Sequence, residues 1–179
     1  AAMILGPALA EFILLNYDTN LNEWLMLTLT DTKGRYDIPK GVLDDRENHL
    51  DAAKRELFEE TNIDIDFEVN SDDNLVKKTW FDWDNEYKEY MQDPDKTLND
   101  IAVTSVNSND LFAFVCEVDK NIFYKVKLLP NPKTNFKEHV SFKFVSLDEF
   151  ESIYTPSYLK YYFRNALNKI YNKGERRGF

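Results

Sequence analysis

Over much of this chain the apolar residues gather into short runs bounded by polar turns, a pattern that suits strands better than helices. Phe12 to Tyr17 and Trp24 to Thr30 are rich in β-formers, and the polar stretch around Asp18-Thr19-Asn20 predicts a hairpin between them. Asp31-Thr32-Lys33-Gly34 reads as a turn, Arg35 to Pro39 as a short extended piece and Gly41 to Glu47 as a loop. The period then changes. Leu50, Ala53 and Leu57 recur at helical spacing, which predicts a helix over 48–60 whose apolar stripe packs on the sheet. Beyond it, Leu111 to Val118 reads as a buried strand, Phe123 to Leu129 as a second and Phe142 to Val145 as a third, with Pro130 and Pro132 in the loop between the last two. Ser146, three residues before Glu149, has the spacing of a capping box. Thr155-Pro156 suits the start of a terminal helix that Gly174 would end.

Residues 64–110 carry a weaker pattern, read as strand, turn and insertion. The segment holds Asp72-Asp73, a second acidic stretch at Asp93, Asp95 and Asp100, and the aromatic group Trp80, Phe81, Trp83, Tyr87 and Tyr90. Such aromatics pack as a satellite core or a dimer contact more often than they form a lid over a base.

Composition narrows the class. A length of 179 residues, 43% hydrophobic and only five glycines and six prolines, predicts one compact domain over 1–179. The net charge of −10 disfavours a long nucleic-acid track or an anionic membrane surface, and leaves room for a local basic pocket. Cys116 is the only cysteine, so neither an intrachain disulfide nor a cysteine-rich zinc site can form. The apolar start has no lysine or arginine ahead of it, and no apolar run nears the ~18–20 residues of a spanning helix. A cytoplasmic protein with no membrane association, monomer or homodimer, is expected.

The chemistry sits on the helix. At about 100° per residue, Glu56, Glu59 and Glu60 fall within one arc, and three carboxylates so close repel one another unless a cation lies among them. Hard oxygen ligands at this spacing suit Mg²⁺ or Mn²⁺. Arg55 precedes Glu59 by four residues and can orient it. Taken alone, a glutamate-rich helix is usually a solvated face. The flanking residues overturn that reading: Gly41, five residues, Glu47, seven residues, then Arg55-Glu56-Leu57-Phe58-Glu59-Glu60-Thr61-Asn62-Ile63.

This 41–63 segment resembles the signature box of the Nudix hydrolases at every fixed position but one, Asn62, where the family has glycine. The position closes a helix and wants a left-handed residue; asparagine is the next best choice after glycine. The resemblance implies an α/β class fold, an α/β/α sandwich around a mixed sheet, and a metal-dependent pyrophosphohydrolase. It further implies that Glu56, Glu59 and Glu60 bind the metals together with the Gly41 carbonyl, and that Glu47 and Arg55 are orienting residues. Pro39-Lys40-Gly41 and Glu138-His139-Val140-Ser141-Phe142 resemble the dinucleoside tetraphosphate hydrolase branch. By that likeness Lys40 and His139 contact substrate, Phe142 stacks on a base, and Glu138 assists the metal or the water. Glu56 or Glu138 takes the proton.

Three functions follow from this reading. The first is cleavage of a diphosphate linkage in a small nucleotide, with dinucleoside polyphosphates leading. An RNA 5′-pyrophosphate or cap hydrolase is the alternative substrate class, prompted by the Arg-Glu-Leu-Phe-Glu-Glu form of the helix. A non-catalytic nucleotide-sensing module is the alternative of another kind, prompted by Asn62 and the acidic segment.

Overall fold

The computed structural model describes residues 9–77, 102–106, 109–152, 163–164 and 166–167, with backbone alone over 102–111. The aromatic group Trp80 to Tyr90, the acidic stretch of Asp93, Asp95 and Asp100, and the terminal helix expected from Thr155 lie outside the described residues.

The hairpin forms as its alternating apolar runs demand. Strands β1 (Leu9–Asp18) and β2 (Glu23–Asp31) pair antiparallel, Leu15 opposite Met26 and Asp18 opposite Glu23. Asp31 then builds the turn, accepting the backbone N–H groups of Lys33 and Arg35, and Gly34 takes the left-handed φ of 76° that the turn requires. Two short strands follow, β3 (Tyr36–Asp37) on β2 and β4 (Lys40–Val42) on β1. One edge of β1 is therefore shared: Leu9–Glu11 meet β4 and Leu15–Asp18 meet β2.

Helix α1 (His49–Thr61) starts where Asn48 accepts the Asp51 N–H at 2.7 Å, and it buries Leu50, Ala52, Ala53, Leu57 and Thr61 against the sheet. It ends at Asn62, whose φ of 65° is left-handed and whose N–H reaches the Phe58 carbonyl at 2.8 Å. Asparagine thus closes the helix in the conformation expected of it.

Within 64–110 the described residues form a short helix and strands. Asp64 caps a short helix, α2 (Ile65–Asn70), by accepting the Phe67 N–H, where a strand was anticipated. The segment then supplies two sheet strands, β5 (Val76–Lys77) and β6 (Ala102–Val106), both antiparallel to β7 (Asn109–Val118). Strand β7 runs parallel to β1, Leu9 opposite Leu111 through Leu15 opposite Glu117, which makes the sheet mixed.

The strand expected at Phe123 to Leu129 is not one. Asp119 caps a 3₁₀ helix (Lys120–Lys125) by accepting the Asn121 N–H, and the remainder is irregular. Ile122 and Val126 are buried while Phe123 and Tyr124 face outward, a helical spacing that apolar content alone disguised. The last strand, β8 (His139–Ser146), returns beside β2, Phe142 opposite Leu29. Ser146 then accepts the Glu149 N–H, so the expected cap opens helix α3 (Leu147–Ser152).

Together these make an eight-stranded sheet with the path β3-β2-β1-β7-β5, β4 and β6 added to β1 and β7, and β8 to β2. The core lies on β1 and β7, where Phe12, Ile13, Leu14, Leu15 and Phe114 are fully buried, and α1 packs on β1. The α/β class and mixed sheet implied by the sequence are those observed. Among the described residues, no helix is long and apolar enough to cross a membrane.

Candidate active site

Two walls face each other across a cleft of about 270 Å³. One is the last two turns of α1 with β4 alongside, giving Glu56, Glu59, Glu60, Lys40, Gly41 and Val42. The other is the loop that enters β8, giving Leu129, Asn131, Pro132, Glu138 and His139. Seven of the residues singled out in the sequence therefore meet in one place.

The helical wall is organised by Arg55. Its guanidinium donates to Glu47 through Nε at 2.8 Å and Nη2 at 2.9 Å, to Glu56 at 2.9 Å, to Glu59 at 3.1 Å and to the Val42 carbonyl at 2.9 Å. Asp44 adds an ion pair at 3.3 Å. Hydrogen bonding to Arg55 holds the Glu47 carboxyl below its ordinary range, and that bond in turn raises the Arg55 pKa. Glu47 and Arg55 stand behind the acidic face, Glu47 outside the cleft lining.

Gly41 permits a close approach rather than a turn. A Cβ placed there would lie 2.0 Å from the Glu56 Cδ and 2.1 Å from Oε1, so any side chain at 41 displaces the Glu56 carboxylate. This cradle and the converging oxygens fit a divalent cation.

Crowding is visible in the acid strengths. Burial first, then repulsion from Glu56, Glu138 and Asp37, lifts the Glu60 carboxyl to about 9. Burial also lifts Glu56 to about 7, against the opposing pull of Arg55. A cation at the site would offset this repulsion. Glu60 accepts the Lys40 backbone N–H at 3.2 Å, while the Lys40 ammonium is held by both oxygens of Asp37 at 2.8 Å.

The second wall is a loop tied to itself. Asn131 accepts the N–H groups of Lys133 at 2.8 Å and Thr134 at 3.3 Å, and its own N–H reaches the Phe136 carbonyl at 2.8 Å. Its side-chain amide points to Glu138 Oε1 at 3.5 Å. Glu138, His139 and Glu60 each bring a ligand atom within 4.8 Å of one another. Burial lowers the His139 pKa, with Asp37 and Glu138 pulling the other way.

Phe142 is not among the cleft residues; its ring packs on Phe123 at 4.6 Å. His49, set aside in the sequence, stacks on Phe112 at 3.7 Å. Three residues escaped sequence reading. Asp37 holds Lys40, Asn131 shapes the loop, and Glu11 lies fully buried on β1, paired in register with Lys40. Only Glu11 left a signal, one carboxylate inside the apolar run of β1. Burial pushes its pKa well up, and among the described residues neither of its carboxylate oxygens has a hydrogen-bond partner.

The comparisons agree with the geometry. An RNA pyrophosphohydrolase of Bartonella bacilliformis is 29% identical over 145 residues, 70% of this chain and 77% of that protein. A Caenorhabditis elegans Ap4A hydrolase in a binary complex superposes with a TM-score of 0.57 at 15% identity, covering 92% of this chain and 98% of the other. The NUDIX domain of Shewanella oneidensis NrtR complexed with ADP ribose superposes at 0.59 with 8% identity, covering 94% and 90%. These two likenesses are of fold. A family model described as NUDIX domain matches residues 12–165, most of the chain, and with the carboxylate helix in place the protein belongs to the Nudix hydrolases.

Proposed function

We propose that this protein is a pyrophosphohydrolase dependent on Mg²⁺ or Mn²⁺ that cleaves a diphosphate linkage in a small nucleotide, dinucleoside polyphosphates leading. The observation that carries this is the convergence of an intact set, Glu56, Glu59 and Glu60, with Glu138 across one cleft. In this reading Glu56, Glu59, Glu60 and the Gly41 carbonyl hold the cations, and Glu47 and Arg55 keep those carboxylates in place. When bound, such cations lower the pKa of an attacking water and neutralise phosphoryl charge. Lys40 exchanges Asp37 for a phosphoryl oxygen of the substrate, and His139 lines the path of the phosphate chain. In this reading Glu56 or Glu138 takes the proton of the water. Phe142, whose ring packs on Phe123 outside the cleft lining, has no role in this reading.

RNA 5′ ends are the second reading, and the Bartonella relative favours it. The cleft size and the net charge of −10 favour a substrate held by one end rather than along a track. Incubation with dinucleoside tetraphosphate and with 5′-triphosphorylated RNA, each with Mg²⁺ or Mn²⁺, should release a mononucleotide from the first and pyrophosphate from the second in proportion to preference. Glu59→Gln and Glu60→Gln should each lower turnover by on the order of 10²-fold or more. Unchanged turnover in both variants would remove the proposed site. Tight nucleotide binding without hydrolysis would point to the sensing module.

A further inference from the structure

The group formed by the box carboxylate Glu60 with Glu138 and His139 across the cleft differs from Glu56 and Glu59 in one chemical respect, since it offers a nitrogen. Their ligand atoms lie within 4.8 Å of one another, two oxygens and one imidazole nitrogen. They come from separate parts of the fold, the last turn of α1 and the start of β8, so a shared ion would tie the two walls together. Among the described residues nothing hydrogen-bonds the His139 ring, whereas Glu60 also accepts the Lys40 N–H and Glu138 meets the Asn131 amide. The Lys40 ammonium donates to both carboxylate oxygens of Asp37 at 2.8 Å.

We propose that Glu60, Glu138 and His139 form a mixed oxygen and nitrogen seat that takes Mn²⁺ in preference to Mg²⁺, with His139 a direct metal ligand beside the path of the phosphate chain. The inference rests on the hydrolase reading for its place in the reaction, but not for its test. Mg²⁺ is a hard ion that keeps oxygen and water ligands, while imidazole suits the borderline first-row ions. Two carboxylates and a neutral imidazole cancel the charge of one divalent ion, so the seat answers the repulsion that crowds Glu60.

The test uses Mn²⁺ alone on the intact protein. The chain has two histidines, His49 and His139, so a nitrogen signal has few possible sources. Electron spin echo spectra of bound Mn²⁺ should show directly coordinated ¹⁴N, replaced by ¹⁵N when histidine is labelled. The coupling should vanish in His139→Gln and persist in His49→Gln. His139→Gln should also weaken Mn²⁺ by on the order of tenfold or more while Mg²⁺ binding, followed by competition, changes far less. Absence of the coupling in wild type, or its survival in His139→Gln, overturns the seat. If His139→Gln fails to fold by circular dichroism, the labelled wild type and His49→Gln decide the question between them. Nucleotide hydrolysis with Mg²⁺ and no histidine coupling with Mn²⁺ would sink this inference and leave the proposed function standing; bound Mn²⁺ with histidine coupling but no hydrolysis would do the reverse.

Discussion

The two walls of the cleft are held by different means. The α1 wall carries its own cation: Arg55 bridges Glu47, Glu56 and Glu59, and its side chain is only 23% exposed. On the β8 wall, Glu138 and His139 are positioned by a loop that Asn131 folds back on itself through backbone N–H groups. Among the described residues the loop region is tied to the helix side by the Lys127 N–H, which donates to the Thr61 carbonyl at 2.8 Å, and by Lys133, whose ammonium lies 3.5 Å from Asp44. A wall fixed by charge pairing keeps its geometry when its neighbour moves, and a wall fixed by turns moves with its loop. The helix thus sets where a phosphate can sit, and the loop sets what may approach it.

Four measurements break or sharpen this contrast. The largest effect belongs to Arg55. Arg55→Ala leaves three partly buried carboxylates without their shared cation and should cost on the order of 2 kcal/mol in chemical denaturation. Addition of Mn²⁺ should recover part of it. A loss within error would show that the α1 wall does not depend on its arginine.

Glu11, buried on β1 opposite Lys40, sharpens the picture through pH. Burial raises its folded pKa above the ordinary 4.5, so the native state binds the proton more tightly than the unfolded chain. The stability this contributes is complete below that value and is lost as pH rises through the folded pKa. One such group sets a limiting slope of about 1.4 kcal/mol per pH unit. Glu11→Gln should therefore be stabilised relative to wild type at pH 8 more than at pH 5, and parallel stability curves would contradict the assignment.

Asn131→Ala removes two side-chain turn contacts and should cost about 1 kcal/mol. Its effect on Mn²⁺ affinity should exceed its effect on melting, because it loosens Glu138 and His139 and leaves α1 untouched. Equal shifts in both would mean that the β8 wall is not held by this loop. The smallest effect is at Asn62: Asn62→Gly keeps the left-handed closure and should change stability by only a few tenths of a kcal/mol, whereas Asn62→Ala should lose about 1 kcal/mol. A reversed order in calorimetry would remove the cap from the account.

What the residues alone determined was local. The hairpin, the helix with its buried Leu50, Ala53 and Leu57, its closure at Asn62 and the acidic face of Glu56, Glu59 and Glu60 all depend on spacing within one element, which a period of 3.6 or 2 encodes directly. The 3₁₀ helix at Lys120–Lys125 was hidden because Ile122, Phe123, Tyr124 and Val126 are all apolar or aromatic, and only packing divides them into buried and exposed. Tertiary structure alone brought Glu138 and His139, some eighty residues beyond Glu60, to within ligand distance of it and buried Glu11 on its sheet strand. Such meetings depend on strand order, with β8 returning to β2 and β7 lying parallel to β1, and no short stretch of chain carries the information for a pairing whose partner is a hundred residues away.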